Sequence, residues 1–199
     1  MKRKLIVVLV LLILFSGWLW RVITLNKFWE SRLREKETII YQIGEVVPFE
    51  EDQLDKYSDL NGYSICVTDF QIIEYEDFKE QYGAPENEGS IELDRKVGLV
   101  FMTLSNTNND SDGVTLTSFH LQSIDNLYMV DRELLEVVNP TLEKGAVGFR
   151  LPHDKSYDVV IPFRMLGRSY FGNWNNLDKV EMYLRVTSRI KEKLVKVQE

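Results

Sequence analysis

Residues 155–165 carry the sequence KSYDVVIPFRM, and this stretch decides the fold class. Its apolar side chains recur at every second position, at Tyr157, Val159, Ile161, Phe163 and Met165. Alternation with period two predicts a β-strand that buries one face and leaves the other in water. Pro162 has no amide proton to offer a neighbouring strand, so it places this strand at a sheet edge or at a bulge.

The same pattern predicts further strands elsewhere in the chain. Residues 180–187 alternate in the same way, whereas residues 97–104 are apolar on both faces, which predicts a central strand. Residues 63–75 change phase near Thr68-Asp69, and a bulge there would return both sets of apolar side chains to the core. Weaker patterns predict a short helix at 76–82 and strands at 45–49, 114–121, 134–138 and 147–151.

These seven to eight strands predict a mainly β fold, an antiparallel immunoglobulin-like β-sandwich over residues 44–187. A domain of this size buries enough surface to be stable without disulfides, in agreement with the single cysteine, Cys66. Residues 188–199 are predicted to form a C-terminal tail. A helix and a further strand through 194–197 are both compatible with the pattern of this tail.

The most apolar segment precedes the sandwich. After the basic N-terminus at 1–4, sixteen uncharged positions follow, and residues 5–25 would span about 31 Å as a helix. That length matches a hydrocarbon core of about 30 Å, and Trp18 and Trp20 suit the interfacial aromatic belt. A cleaved signal peptide is the alternative, but the run lacks a cleavage site with small residues at the required spacing. We therefore predict a transmembrane anchor over 5–25, with the lipid bilayer as its partner.

Residues 26–43 have the alternating charge of a helical stalk, for which a solvated helix without a partner is the alternative. Basic residues stand on both sides of the anchor in similar number, so the positive-inside rule does not set the orientation. Long domains translocate largely regardless of their charge. We expect a single-pass protein of the cell membrane with a cytoplasmic N-terminus and an extracytoplasmic domain.

Charge limits the classes of partner. The formal net charge is −7, and residues 45–95 hold 15 acidic and 3 basic side chains. Nucleic-acid binding needs a positive field that neutralises phosphates, so nucleic acid is not an expected partner. The acidic clusters at 50–52 and 74–77 are typical of solvated surface.

One loop has part of the pattern of a calcium site. Residues 108–113, NNDSDG, place oxygen donors at alternate positions, but the twelfth position, which needs a bidentate glutamate, is Phe119. A polar turn between strands is the favoured interpretation. His120, His153 and Cys66 lack the spacing of a transition-metal site, so we predict no metal ion.

The sequence contains no G-x-S-x-G, H-E-x-x-H, Walker or G-x-G-x-x-G motif. We predict that the protein is not an enzyme, and we assign no catalytic residue and no cofactor. Asn109-Asp110-Ser111 matches a glycosylation acceptor, a triplet that often arises by chance.

An aromatic loop follows the strand at 155–165. Tyr170, Phe171 and Trp174 are close together in this loop. Aromatic side chains in loops contact sugars or proteins, which makes these three the candidate binding residues. Folding under the sandwich as a cap is the favoured alternative.

With these elements in place, residues 44–187 resemble the membrane-anchored, immunoglobulin-like (telokin-like) domains of bacterial surface proteins, an uncharacterised group of domains of unknown function. The residues that carry the resemblance are GEVV at 44–47, GYSICVTD at 62–69, the strand at 97–106 and KSYDVVIPF at 155–163. The resemblance implies a sandwich outside the membrane with no known chemistry. The chain departs from the pattern in lacking a lipidated cysteine and in its acidic insertion at 76–94.

These features predict a non-catalytic binding or structural module of the cell envelope, with an envelope protein or a glycan as its partner. The alternative is an accessory subunit of a membrane protein complex, held by the anchor together with Phe28 and Trp29. An envelope enzyme using carboxylates is a third hypothesis, which requires carboxylates of strongly perturbed pKa in a cleft.

Overall fold

The computed structural model describes residues 15–24, 37–50, 59–85, 95–110, 113–167, 174–188 and 191–198. The chain divides into two compact units, Met1–Lys36 and Glu37–Glu199. The second unit contains the β-sandwich.

Strands dominate the second unit. Its described residues include two α-helices, α1 (Tyr75–Tyr82) and α2 (Arg132–Val138), and two 3-10 helices at Leu116–Ser118 and Trp174–Lys179. They also form eleven strands: β1 (Glu37–Gln42), β2 (Val46–Pro48), β3 (Tyr63–Glu74), β4 (Arg95–Asn106), β5 (Val114–Thr115), β6 (His120–Gln122), β7 (Leu127–Met129), β8 (Gly148–Phe149), β9 (Lys155–Leu166), β10 (Met182–Arg185) and β11 (Lys191–Gln198).

Two sheets face each other across the main core. One has the strand order β1-β11-β10-β6-β7 and the other has the order β2-β3-β4-β9, while β5 and β8 form a separate ribbon. The main core contains buried side chains of both sheets, among them Ile65, Met102, Ile161, Leu184 and Val195. The predicted β-sandwich is therefore confirmed.

The long strands agree closely with their sequence patterns. The register of β3 shifts between Val67 and Asp69, so that Phe70 and Ile72 pack against the same core as the residues before the bulge. β4 lies between β3 and β9, as expected for a central strand. β9 is an edge strand of its sheet, which accommodates Pro162.

The sandwich extends beyond residues 44–187 at both ends. β1 lies within the predicted stalk at 26–43, and β11 lies within the predicted tail, where a strand rather than a helix forms. These two strands pair in parallel, from Glu37 with Lys191 to Gln42 with Lys196. The expectation of a purely antiparallel sandwich with seven to eight strands was therefore wrong, because a pairing between such distant segments leaves no local signal.

The strand predicted at 134–138 is instead the helix α2. Asp131 caps it, because its Oδ1 accepts hydrogen bonds from the amides of Glu133 and Leu134 at 3.0 and 3.1 Å. Leu134 and Val138, four residues apart, are both buried on one side of the helix. A short apolar run suits either structure, and here the cap and the spacing favour the helix.

The other short elements follow the sequence in part. The predicted helix at 76–82 corresponds to α1. A 3-10 helix interrupts the strand predicted at 114–121, and the strand predicted at 147–151 shortens to the two residues of β8.

Both helices cover part of the four-stranded sheet on the side away from the main core. Phe78 of α1 and Leu134 of α2 form a second, smaller core with Val97 and Leu99 of β4. The first half of β4 is thus buried on both faces, which explains its continuous apolar sequence.

A buried cation joins the two sheets. Lys193 of β11 is 1% exposed, and its Nζ donates hydrogen bonds to the carbonyl of Pro48 at 2.6 Å and to the carboxylate of Glu50 at 3.1 Å. These contacts fasten the end of β2 to the five-stranded sheet.

The described part of the N-terminal unit is helical over residues 15–24. Within the part of the chain that the structure describes, no helix combines the length and apolar character needed to cross a membrane. Of the predicted anchor, residues 5–14 and 25 lie outside the described ranges. Residues 26–36 of the predicted stalk, including Phe28 and Trp29, also lie outside them.

Candidate functional site

The candidate site is the solvent side of β6, β7 and β10. Alternation along each strand turns every second side chain toward the core and the others toward solvent. We use the name outer face for the solvent-facing set His120, Gln122, Leu127, Met129, Tyr183 and Arg185. In strand register these residues form two rows across the sheet, Arg185–His120–Met129 and Tyr183–Gln122–Leu127.

Large apolar side chains stand on β7, the last strand of the described five-stranded sheet. Leu127 and Met129 on the edge strand β7 are 54% and 64% exposed. Ile124, in the turn between β6 and β7, is 95% exposed. Natural proteins usually protect edge strands with charges or cover them, and neighbouring exposed apolar side chains mark interaction surfaces.

A positive charge lies on the β10 side of the outer face. Arg185 is half-buried, and its Nε has no hydrogen-bond partner among the described residues. Burial, followed by the charge of Arg185, lowers the pKa of His120. At neutral pH, the fixed charge of this pair is therefore that of the guanidinium.

Tyr183 is held beside an ion pair at the margin of the outer face. Nζ of Lys196 lies 3.0 Å from Oε1 of Glu181. Hydrogen bonds from Lys196 and then from Tyr183 lower the pKa of Glu181, and the bond to Glu181 raises the pKa of Tyr183. The outer face thus combines an aromatic ring, an arginine, a methionine and a leucine, a composition typical of protein interfaces.

The candidate residues of the aromatic loop lie elsewhere. Tyr170 and Phe171 lie outside the described residues. Trp174 is half-buried and packs against the main core, with Nζ of Lys96 5.6 Å from its ring centroid. This position suits a cap on the end of the sandwich and is not part of the outer face.

The loop that resembles a calcium site holds the fold together in its described part. The side chain of Asn109 is 7% exposed, and its Nδ2 donates hydrogen bonds to the carbonyls of Asp59 and Asn61 at 2.9 and 2.6 Å. Since glycosylation would modify this nitrogen, the folded domain does not present Asn109 as an acceptor. Residues 111–112 lie outside the described ranges.

The other candidate metal ligands do not lie close together. His153 lies 3.0 Å from Asp110, whereas His120 is half-buried on the outer face. Cys66 is half-buried on the side of β3 opposite Ile65 and Val67, so it does not pack in the core. No group of three His, Cys, Asp or Glu side chains within the described ranges is arranged to hold a metal ion.

The described glutamates of the two acidic clusters form ion pairs with lysines. Glu50 pairs with Lys193, and Glu74 lies 3.1 Å from Lys96. Glu76 lies 2.9 Å from Lys79 on α1. These carboxylates stabilise contacts of the fold.

Sequence reasoning missed the outer face. Leu127 and Met129 belong to a three-residue strand, too short for a periodic pattern, and β10 supplies Tyr183 and Arg185 from a distant part of the chain. The one local signal of this face was that Leu127 and Met129, both apolar, flank Tyr128, whose side chain is buried.

Comparison with known proteins gives a family and similar folds. A family model described as "Domain of unknown function (DUF5028)" matches residues 38–189. Among solved structures, an uncharacterized β-sandwich protein from Clostridium difficile 630 is 12% identical over 83% of this chain and 97% of its own, with a TM-score of 0.45. A functionally unknown protein from Listeria monocytogenes EGD-e is 8% identical over 72% and 75%, with a TM-score of 0.41. No curated protein matches the chain.

Proposed function

The chain belongs to the DUF5028 family, and on that premise we propose that it is a membrane-anchored, non-catalytic binding module of the bacterial cell envelope. In this proposal the immunoglobulin-like sandwich lies outside the cytoplasm and recognises an envelope protein through the outer face. The observation that carries the proposal is the exposure of Leu127 and Met129 on an edge strand, in the same outer face as Arg185.

The outer face defines the chemistry of the partner. Leu127 and Met129 are apolar anchors that fill pockets in a protein surface. Arg185 is half-buried on this face, and its guanidinium suits a carboxylate of the partner, because guanidinium–carboxylate hydrogen bonds are strong. We therefore infer a folded protein partner that presents an apolar pocket to β7 and an acidic side chain to β10.

The apolar character of residues 15–24 supports the anchor. Phe15, Trp18, Leu19, Trp20 and Ile23 are all large and exposed on this helix. Apart from Arg21, the large side chains of this helix are apolar, and such a helix is suited to a lipid environment. The exposed indoles of Trp18 and Trp20 are suited to the membrane–water interface.

Two observations support a non-catalytic role. Described carboxylates such as Glu50 and Asp131 are engaged with Lys193 and Arg164, which assigns them to stabilising contacts. The outer face combines apolar and aromatic contact groups with one fixed charge, an arrangement suited to binding.

Site-specific crosslinking in cells tests the binding face. A photoreactive phenylalanine analogue at position 129 should yield one discrete crosslinked product of higher mass. The same analogue at Ser156, exposed on the other sheet, is the matched control and should yield none. Arg185→Glu, combined with the analogue at 129, should reduce the product at least tenfold. Equal products from 129 and 156, or none from 129, would contradict the proposal.

Protease accessibility tests the location of the domain. Intact cells carrying the chain with a C-terminal tag are treated with external protease, and the tag is followed by blotting. Removal of the tag, with a full-length band before treatment, is the expected result. Protection of the tag until the membrane is opened would place the domain in the cytoplasm and contradict the orientation.

The exposed tryptophans also favour a second candidate, an accessory subunit of a membrane complex. Trp18 and Trp20 are 59% and 76% exposed, as they would be if another transmembrane helix packed on them. In that case Trp18→Ala with Trp20→Ala should shift the protein from a large to a small species on native gels. Met129→Glu should leave the large species intact. The opposite pattern would favour the outer face.

A further inference from the structure

A second concave surface lies on the four-stranded sheet, where the end of α2 stands above β4 and β9. It is a groove of about 420 Å³, within the range of about 300–1,000 Å³ found for small-molecule sites. The groove is lined, among other residues, by Thr68, Phe101, Thr103, Thr141, Tyr157 and Asp158. It lies on a different sheet from the outer face and is independent of the protein-binding proposal.

The wall of the groove is fixed at its base by one buried amide. Asn139, 5% exposed, donates hydrogen bonds from Nδ2 to the carbonyls of Leu135 and Val160 at 3.0 and 2.8 Å. Its Oδ1 accepts a hydrogen bond from the amide of Val160 at 2.9 Å. The side chain of Asn139 thereby attaches the loop that follows α2 to both the amide and the carbonyl of Val160 in β9. A wall held in this way preserves the shape of the groove and lowers the entropic cost of binding.

The polar groups of the groove are hydroxyls and one carboxylate. Oγ1 of Thr103 donates to Oδ1 of Asp158 at 2.6 Å, and Oγ1 of Thr68 donates to the carbonyl of Phe101 at 3.2 Å. The hydroxyls of Thr141 and Tyr157 are also hydrogen-bonded to each other. Asp158 is exposed, so its carboxylate is accessible to donors of a ligand.

The floor of the groove is apolar. Phe101 and Val160 are half-buried and pack against the second core beneath α1 and α2. Apolar floors with a few placed polar groups are typical of small-molecule sites. An aromatic ring at the floor is suited to the C–H face of a flat polar ligand.

The charge of the groove restricts the ligand. No lysine or arginine is among its described lining residues, and Asp158 would repel an anion. A ligand must instead offer hydroxyl or amide donors to the carboxylate and an apolar face to Phe101. Neutral sugars have both features. We propose that this groove binds a neutral carbohydrate, with Asp158 accepting hydrogen bonds from its hydroxyl groups and Phe101 packing against its ring.

Ligand-observed saturation-transfer NMR on the full chain tests this proposal. The chain is kept in a detergent without a sugar headgroup, and the probes are maltose, cellobiose and N,N′-diacetylchitobiose, each at millimolar concentration. At least one probe should receive saturation from the protein. Asp158→Asn keeps the shape of the groove and removes the charge, and it should weaken binding about tenfold, since hydrogen bonds to charged groups contribute about 1.5–3 kcal/mol.

Two further variants make the result specific to the groove. Thr141→Ala alters an exposed loop residue and should also weaken binding, which provides a second test if Asp158→Asn folds poorly. Met129→Glu alters the outer face and should bind the sugar as the native chain does, so that the two proposals fail separately. Absence of transfer to all three probes, or unchanged transfer in both Asp158→Asn and Thr141→Ala, would overturn the proposal.

Discussion

Asn106 and Asn109 clamp each other through two hydrogen bonds. The amide of Asn109 donates to Oδ1 of Asn106 at 2.7 Å, and Nδ2 of Asn106 donates to the carbonyl of Asn109 at 2.9 Å. Nδ2 of Asn106 also donates to the carbonyl of Leu151 at 2.7 Å. The end of β4, the loop after it and the segment that leads into β9 thus converge on the side chain of Asn106, which is 1% exposed.

Asn106→Ala should therefore destabilise the domain strongly. The substitution removes three hydrogen bonds to the backbone of Asn109 and Leu151, and each such bond contributes about 0.5–1.5 kcal/mol. We expect a loss of about 2–4 kcal/mol, measured by denaturant unfolding followed by fluorescence. The exposed neighbour Asn108 is the matched control, and Asn108→Ala should change stability by less than about 0.5 kcal/mol. Equal effects of the two variants would contradict the clamp.

Removing the cap of α2 should loosen the helix. Oδ1 of Asp131 accepts hydrogen bonds from two amides of the first turn, and its Oδ2 lies 2.6 Å from Nε of Arg164. Asp131→Ala removes both contacts and should cost about 1–3 kcal/mol in unfolding free energy. Glu133→Gln is the control, because its carboxylate binds the same arginine at the surface, at 3.2 Å. If Glu133→Gln costs as much as Asp131→Ala, the cap is not the source of the effect.

A side chain at position 148 should disrupt the small ribbon of β5 and β8. A Cβ at Gly148 would collide with the carbonyl oxygen of Val114 and approach Cα of Thr115 to 2.9 Å. Gly148→Ala should cost about 1–3 kcal/mol and accelerate amide exchange in the ribbon. At Gly44, φ is +88° and no heavy atom lies within 4 Å of a Cβ, so Gly44→Ala brings only backbone strain. Hydrogen exchange should therefore leave the ribbon protected in Gly44→Ala, and loss of protection in both variants would exclude a local collision.

The titration of His120 should make the domain less stable in acid. Its pKa is lowered in the folded state, so the unfolded chain binds the proton more readily. The contribution of His120 to the free energy of unfolding is fully present above about pH 6.5, the pKa of an unperturbed histidine. It is lost as the pH falls through the lowered pKa of the folded state. Arg185→Gln should raise the pKa of His120, as followed by NMR of the imidazole protons. An unchanged pKa in that variant would show that the guanidinium does not act on the ring.

Local patterns predicted the four-stranded sheet well. The phase change at Thr68 located the bulge in β3, and the continuous apolar run of β4 identified a central strand, because both features depend on neighbouring residues. The prediction of a strand at 134–138 was wrong because the apolar run alone does not include Asp131, whose side chain caps the helix.

The five-stranded sheet was less accessible to sequence reasoning. Its strands are short, and three of them have fewer than five residues. β1 depends on a partner strand in a distant segment. β11 buries Lys193, a residue type that a sequence pattern assigns to the surface. The outer face inherits this difficulty, since its residues converge only when β6, β7 and β10 are assembled.

The pairing of β1 with β11 also determines when, during synthesis, β1 can join the sheet. Thr38 and Glu192, which form a hydrogen bond across the two strands, are 154 residues apart. During synthesis β1 is made early, yet its only described strand neighbour is made after every other strand of the sandwich. Until then β1, which contains Ile39, Ile40 and Tyr41, is an unpaired strand, and such strands aggregate or engage chaperones. If the domain is exported as proposed, the exposed lifetime of β1 is set by how quickly the last strand follows it.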